Sequence, residues 1–130
     1  MTKKTPIPRP TAAELDLLRI LWHLGPADAR TVYEALLLER AEARYATVLR
    51  QLQLMHSKGV LTRDESERPQ RYAAVQAQEK LQTGMLKDLI AKVFAGSGKA
   101  LILAALKEHV SADERTQIEK ILNRKDGAGS

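Results

Sequence analysis

Residues 43–63, ARYATVLRQLQLMHSKGVLTR, form the stretch best suited to binding a negatively charged partner. Cationic side chains occur here without an acidic one, namely Arg44, Arg50, Lys58 and Arg63. Apolar side chains recur at helical spacing, so at about 100° per residue they gather on one side. They are Val48, Leu49, Leu52 and Met55. The pattern predicts a helix that buries one face and exposes a cationic one.

The exposed face of this helix carries side-chain types that can read DNA. Thr47, Arg50 and Leu54 lie opposite the apolar side, and Arg44 flanks them at the N-terminal end. Arginine can bind guanine O6 and N7 together, and the threonine methyl group can contact a thymine methyl group. We therefore predict base contacts by Thr47 and Arg50, and a base or phosphate contact by Arg44. A solvated amphipathic helix without a partner is the alternative.

Two residues of the first helical turn, Tyr45 and Ala46, complete the candidate DNA-binding set on this helix. Tyr45 has a second possible role, because its position around the helix also lets its ring pack on Leu49. The sequence therefore leaves Tyr45 open between a DNA contact and a core residue.

Two further helices precede this one. Thr11 and Glu14 predict a capping box at the start of the first helix, and Gly25-Pro26 predicts its end. Asp28 is the predicted N-cap of the second helix, which runs to about Glu39 or Arg40. The side chains predicted to be buried are Leu15, Leu18, Leu21 and Trp22, then Val32, Tyr33, Leu36 and Leu37.

After Gly59, which predicts the end of the third helix, the period of the sequence changes. Residues 60–63 and 70–74 predict two short strands joined by a polar turn. Three helices followed by a β-hairpin is the element order of a winged helix-turn-helix domain. The candidate phosphate contacts on the hairpin are Arg63, Arg68 and Arg71. Each could equally pair with an acidic neighbour among Asp64, Glu65 and Glu67.

From about Gln76 the chain is predicted to be helical again, with a break at Gly96-Ser97-Gly98 and a second capping box from Ser111 to Glu114. About fifty residues of short helices bury too little surface to fold alone, which predicts pairing with a second copy. The residues assigned to dimerisation are Leu81, Met85, Leu86, Leu89, Ile90, Val93, Leu101, Ile102, Leu106, Ile118, Ile121 and Leu122.

The predicted fold class is mainly α with a small β-hairpin wing. We expect a flexible arm at residues 1–10, a winged-helix DNA-binding domain at residues 11–76, a helical dimerisation domain at residues 77–123 and a disordered tail at residues 124–130. A two-fold dimer would place two recognition helices about one DNA turn, or a multiple of it, apart.

Composition excludes several classes of function. The net charge of +5 and the pI near 9.6 suit a polyanionic partner. Because the chain has no cysteine, it has no disulfide or thiolate metal site. The apolar run at residues 100–106 is too short to span a bilayer, and residues 1–10 lack the apolar segment of a signal peptide. We therefore expect a cytoplasmic protein without membrane insertion.

No pattern of residues indicates an enzyme. His23, His56 and His109 are far apart, and none has a partner at metal-ligand spacing. Nothing indicates a nucleophile beside a general base. We therefore predict no catalytic activity, no metal and no cofactor.

Several short motifs follow one another from Thr11 to about Lys125. They are Pro10-Thr11-Ala12-Ala13-Glu14, Leu21-Trp22, Gly25-Pro26-Ala27, Val32-Tyr33-Glu34-Ala35-Leu36, Tyr45-Ala46-Thr47-Val48 and Lys58-Gly59-Val60-Leu61. In this order they resemble the penicillinase-repressor family, the BlaI/MecI group of bacterial winged-helix repressors with the copper-responsive CopY proteins as relatives.

The resemblance implies a homodimeric repressor on a palindromic double-stranded DNA operator, with β-lactam or cell-envelope stress genes as candidate targets. It also implies a membrane sensor protease that cuts family members at an Asn-Phe pair. The matching place here is Ala104-Ala105, so release by that cut is not expected. Family members usually have an aromatic residue where this chain has Ala43, and a basic residue where it has Leu54. The DNA sequence that this protein prefers should therefore differ from that of known members. The alternative function is a winged-helix protein–protein adaptor, with Leu54 in an apolar contact.

Overall fold

The computed structural model describes residues 9–129, with side chains as far as Arg124. Its elements are α1 (Ala12–Leu24), β1 (Ala27–Asp28), α2 (Ala29–Glu39), α3 (Tyr45–Ser57), β2 (Leu61–Asp64), β3 (Arg71–Ala74), α4 (Gln78–Lys92), α5 (Gly98–Glu108) and α6 (Ala112–Gly129). The predicted fold class, mainly α with a small hairpin wing, is confirmed. Of the predicted arm, only Arg9 and Pro10 lie within the described residues.

Two compact units divide the chain, the first ending at Gln82 and the second beginning at Thr83. The sequence placed its boundary earlier, after residue 76, where the hairpin ends. Leu81 explains the difference, because its side chain is only 5% exposed and belongs to the first unit. The first turn of α4 is therefore part of the winged-helix unit.

Helix α1 begins with the predicted capping box. The Thr11 hydroxyl accepts from the Glu14 amide at 3.2 Å, and the Glu14 carboxylate accepts from the Thr11 amide at 3.0 Å. The helix ends at Gly25, which has a positive φ of 83°. Leu18 and Leu21 are buried as predicted, but Leu15 and Trp22 are only half-buried. The sequence missed two buried residues, Leu17 and Ile20, because α1 contacts α2, α3 and β3 and so buries a wider arc than one stripe.

Helix α2 begins at the predicted cap, where the Asp28 carboxylate accepts from the Thr31 amide at 2.8 Å. Val32 is fully buried, and Tyr33 and Leu36 are half-buried. The prediction for Leu37 was wrong, since this side chain is exposed. At helical periodicity Leu37 lies about 140° around the axis from Val32, beyond the stripe that packs on the core.

Helix α3 packs on the core through Val48, Leu52 and Met55, all buried, whereas Leu49 is half-buried. Gly59 follows it with a positive φ of 82°, as predicted for the end of this helix. This packing fixes the helix by one face and leaves the other open.

Strands β2 and β3 form the predicted antiparallel hairpin, from Leu61 opposite Ala74 to Asp64 opposite Arg71. A third strand, β1, adds to the outer side of β3, giving the order β1-β3-β2. The sequence missed β1, because a two-residue strand shows no alternation. The buried side chains of Leu61 and Tyr72 attach the sheet to the helical core.

The second unit contains most of α4 together with α5 and α6. Ser97 caps α5 by accepting from the Ala100 amide at 3.0 Å, and the predicted Ser111–Glu114 capping box starts α6. Helix α6 continues to Gly129, whereas a disordered tail was expected from Arg124. Once a helix is nucleated, each added residue gains a local hydrogen bond, so no tertiary contact is needed to extend it. None of the helices in the described residues has both the length and the apolar character needed to cross a bilayer.

Candidate nucleic-acid interface

The outward face of α3 carries the side chains predicted to meet DNA bases. Ala46, Thr47 and Arg50 are all exposed, and Leu54 is 43% exposed. Leu52, between them along the chain, is fully buried. The structure therefore shows the amphipathic helix that the sequence predicted, with one face of α3 buried and the opposite face exposed.

The N-terminus of α3 has no side-chain cap. Arg44 occupies the N-cap position with an extended backbone and makes no capping hydrogen bond, and the first turn contains no acidic residue. By contrast, Thr11, Asp28 and Ser97 each cap their own helices. The positive end of the α3 dipole and its free amides therefore remain available to an anion.

Arg44 and Arg50 differ in their partners from Arg19 and Arg40 of the same unit. Arg19 bridges Asp16 and Glu39, and Arg40 pairs with Asp16. Hydrogen bonds from Arg19 to Glu39 and Asp16 raise the pKa of Arg19. Among side chains at residues 9–124, none forms an ion pair or hydrogen bond with Arg44 or Arg50. Within the part of the chain whose side chains are described, the charge of these two arginines is therefore not neutralised.

Tyr45 lies in a small aromatic cluster. Its ring meets the Tyr33 ring edge to face, with centroids 5.8 Å apart and planes at 81°. The Arg30 guanidinium lies 4.6 Å from the centroid of the Tyr45 ring. Tyr45 is half-buried, and its ring packs against Tyr33 of α2, a neighbour that the sequence did not suggest. The sequence did not predict the contact of Arg30 with these rings, because nothing in the local pattern of α2 distinguishes Arg30.

The wing arginines lie beside the acids of their own hairpin. Arg63 donates two hydrogen bonds to the Glu65 carboxylate, at 2.9 and 3.1 Å. Hydrogen bonds to Glu65 and Tyr72 raise the pKa of Arg63. Arg71 lies 3.8 Å from Glu67, whereas Arg68 is exposed without an ion pair among residues 9–124. Of the two roles left open by the sequence, Arg63 and Arg71 therefore show pairing with an acidic neighbour in the structure.

The turn of the wing is held by Asp64, whose carboxylate accepts from the Ser66 hydroxyl at 2.6 Å and from the Ser66 amide at 2.9 Å. These hydrogen bonds to Ser66 lower the pKa of Asp64. The carboxylates of Glu65 and Glu67 remain exposed beside the turn. A wing tip with this charge is poorly suited to deep insertion into a groove lined by phosphates.

A buried ion pair joins α1 to the end of α3. The Glu14 side chain is almost fully buried, and its carboxylate accepts from the Lys58 ammonium at 2.7 Å. Burial raises the pKa of Glu14, but the hydrogen bonds from Lys58 and Thr11 outweigh burial and lower it overall. Sequence reasoning placed Glu14 in a local capping box and Lys58 among the cations of residues 43–63, and missed their contact across 44 positions.

The residues assigned to dimerisation differ in exposure. The assignment of Leu81 to dimerisation is corrected, because its side chain is buried in the first unit and is not accessible to a second chain. Half-buried members are Met85, Ile90, Leu101 and Leu106, as are the two alanines Ala104 and Ala105 at the family cleavage position. Exposed members are Leu86, Leu89, Val93, Ile102, Ile118, Ile121 and Leu122. No side chain at residues 83–124 is fully buried.

Among the residues that the structure describes, no group of three His, Asp or Glu side chains could hold a metal ion. The exposed side chains of α3 itself are Ala46, Thr47, Arg50, Gln53, Leu54 and Ser57. What this face can do chemically is bind: hydrogen bonds and positive charge from arginine, and small apolar contacts from Ala46 and Leu54.

A core of three helices, followed along the chain by a β-hairpin after the third helix, defines a winged-helix domain. The solved complex structures hsRosR-S4 and hsRosR-S1 have similar folds, with TM-scores of 0.54 each at 16% and 17% sequence identity. The similarity covers 93% of this chain in both cases, and 93% and 96% of the respective solved chains. These likenesses support the fold.

The family follows from sequence comparison. The model of the penicillinase repressor family matches residues 10–124, and the chain belongs to that family. It is similar to the transcriptional regulator BlaI of Mycobacterium tuberculosis in two strains, with 30% identity over 103 residues. That match covers 78% of this chain and 74% of the relative. The chain is thus a BlaI-like transcriptional regulator with a winged-helix fold, and the predicted family is confirmed.

Proposed function

We propose that this protein is a homodimeric repressor that binds a palindromic double-stranded DNA operator, with α3 in the major groove. The observation that carries the proposal is the outward face of α3, where Arg44 and Arg50 have no acidic partner among residues 9–124. An α-helix fits the major groove, and a helix anchored by its opposite face presents its side chains there in a fixed orientation.

The residues divide into two kinds of contact. Thr47 and Arg50 contact base edges, because they lie one turn apart on the exposed ridge of α3. Arg44 contacts a phosphate or a base edge at the start of the helix, where the unpaired amides add positive potential. Arg68 contacts phosphate from the wing, since its charge is not paired within residues 9–124.

Exposed apolar side chains of the second unit support dimerisation. Exposed apolar side chains occur on each of its helices, among them Leu89 on α4, Ile102 on α5 and Ile121 on α6. Residues 83–124 have no fully buried side chain, and short helices of this kind do not repay the entropy of ordering, so they need a second surface. A second copy supplies a matching surface and brings a second α3 to the other half of a palindrome.

Release of the repressor does not depend on the cut known for the family. The family's Asn-Phe pair is replaced here by Ala104-Ala105, and both alanines lie inside α5. A membrane sensor protease with that specificity therefore has no matching sequence at this position. The candidate target genes, for β-lactam or cell-envelope stress, come from the family alone.

Salt dependence of binding distinguishes this function from a protein–protein adaptor. A duplex selected from a random-sequence library should bind with an affinity that falls steeply as salt rises from 50 to 200 mM, because each neutralised phosphate releases counterions. An adaptor that docks through Leu54 would bind its partner with little salt dependence. Failure to select any duplex at low ionic strength would overturn the proposal.

A further inference from the structure

Arg30 is held in place by aromatic rings. Its guanidinium carbon lies 4.6 Å from the centroid of the Tyr45 ring and 5.8 Å from that of the Tyr33 ring. The two rings meet edge to face and are half-buried, whereas Arg30 is exposed. Attraction between a cation and an aromatic face operates within about 6 Å. The rings therefore form a fixed platform beneath an exposed positive charge.

Within the residues whose side chains the structure describes, the charge of Arg30 is not neutralised by a carboxylate. No ion pair or hydrogen bond joins Arg30 to another side chain among residues 9–124. Asp28, the acid nearest to it along the chain, already accepts from the Thr31 amide. A guanidinium stacked by its face keeps the N–H groups at its edge free, and their planar fork matches the oxygens of a phosphate.

Arg30 lies beside the N-terminal end of α3. Tyr45 is the first residue of α3, so Arg30 lies at the same end of the helix as Arg44. A groove of about 180 Å³ runs here, lined by Arg30, Tyr45 and the wing residues Pro69 and Gln70 among others. In helix-turn-helix proteins the helix before the recognition helix crosses the DNA backbone.

We propose that Arg30 binds a backbone phosphate of the duplex that α3 reads, and that Tyr45 positions Arg30 without contacting a base itself. This inference rests on the proposed DNA-binding function. The inference adds Arg30 of α2 to the DNA interface. It also changes the role of Tyr45 from a base contact to a residue that positions Arg30.

Arg30→Ala tests the phosphate contact. Binding is measured across a salt series to a duplex selected from a random-sequence library and to a scrambled duplex of equal length. Loss of one phosphate contact should reduce the slope of log affinity against log salt by about 0.9 per bound chain, which is about eightfold in affinity at 0.1 M salt. Both duplexes should be affected by the same factor, because a phosphate carries no sequence. Lys80→Gln, which removes an exposed charge from α4, should leave the slope unchanged.

Two variants of Tyr45 test the platform. Tyr45→Leu keeps every charge but removes the ring, and should weaken binding to both duplexes about two- to fivefold. Tyr45→Phe keeps the ring and should bind both duplexes as the wild type does. Since Tyr45 is half-buried, thermal unfolding monitored by circular dichroism shows that each variant is folded before binding is compared.

The outcomes separate the two proposals. A wild-type protein that binds neither duplex overturns the proposed function and this inference with it. Wild-type binding together with an unchanged slope for Arg30→Ala overturns only the phosphate contact. A changed ratio between selected and scrambled duplexes for Tyr45→Phe shows a base contact and overturns the positioning role.

Discussion

Glu14 and Lys58 lie 2.7 Å apart, carboxylate oxygen to ammonium nitrogen, and this contact joins the start of α1 to the residue that ends α3. The same carboxylate closes the capping box with Thr11. A single buried acid therefore sets the start of one helix and holds the end of the helix that carries the proposed DNA-binding residues. Its loss should affect stability and the orientation of α3 together.

The first prediction is that Lys58→Met destabilises the protein in a pH-dependent manner. Removing Lys58 leaves the Glu14 carboxylate buried without its cation, which should lower the free energy of unfolding by about 1–2 kcal/mol at pH 7, since Lys58 itself is half exposed and partly screened. Urea unfolding at a series of pH values measures the difference.

The sign of the pH effect follows from the lowered pKa of Glu14 in the folded state. A lowered folded pKa stabilises the protein above the unfolded pKa of 4.5, and that stabilisation disappears as the pH falls through the folded value. The gap between wild type and Lys58→Met should therefore be full at pH 7 and shrink in acid. A gap that stays constant down to acid pH would show that the pair contributes packing alone.

The second prediction concerns Arg50. Arg50→Ala should reduce binding to a selected duplex far more than binding to a scrambled one, because a bidentate base contact contributes roughly 1–3 kcal/mol of discrimination. Arg50→Lys keeps the charge without the bidentate fork, so it should preserve non-specific binding and lose the preference. Equal losses on both duplexes would reduce Arg50 to a phosphate contact.

The third prediction concerns the wing, where Glu65 holds Arg63 through two hydrogen bonds. Glu65→Gln should release Arg63 toward phosphate and steepen the salt dependence of DNA binding, by up to about 0.9 in slope per bound chain. Glu34→Gln removes an equal charge from α2 without freeing a cation, and serves as the matched control. If both variants bind alike, the gain comes from net charge and Arg63 does not contact DNA.

The fourth prediction concerns the oligomer. A chain that ends at Gln82 keeps Leu81 in the winged-helix unit and should be a folded monomer with weak operator affinity. In the full chain, Val93→Glu places a charge at an apolar position that is 66% exposed in the single chain, and should weaken the dimer. Sedimentation velocity reports both states. A dimer formed by the shortened chain would assign the contact to the winged-helix unit instead.

Local signals in the sequence were sufficient for the boundaries of α1, α2 and α3. The Thr11–Glu14 capping box and the glycines at Gly25 and Gly59 each depend on residues within one turn, so their chemistry is visible without tertiary structure. The outward face of α3 was predictable for the same reason, since one period of 3.6 residues places Thr47 opposite Leu52.

Contacts between distant segments could not be predicted. Glu14 and Lys58 are 44 positions apart, and the stack of Arg30 on Tyr45 depends on how α2 crosses α3. A sequence pattern states which face is apolar but not which polar groups meet across it. The ion pairs of the wing were open for a related reason, because neighbouring charges of both signs allow either pairing or phosphate contact.

The most direct test of the account is a footprint on the DNA upstream of the protein's own gene, made with the wild type and with Arg50→Ala. A dimer that reads DNA through α3 should give two protected half-sites related by two-fold symmetry, with centres about one helical turn or a multiple of it apart, and both should be lost with Arg50→Ala. A single asymmetric protected site, or equal protection by the variant, would contradict a dimer that reads DNA through α3.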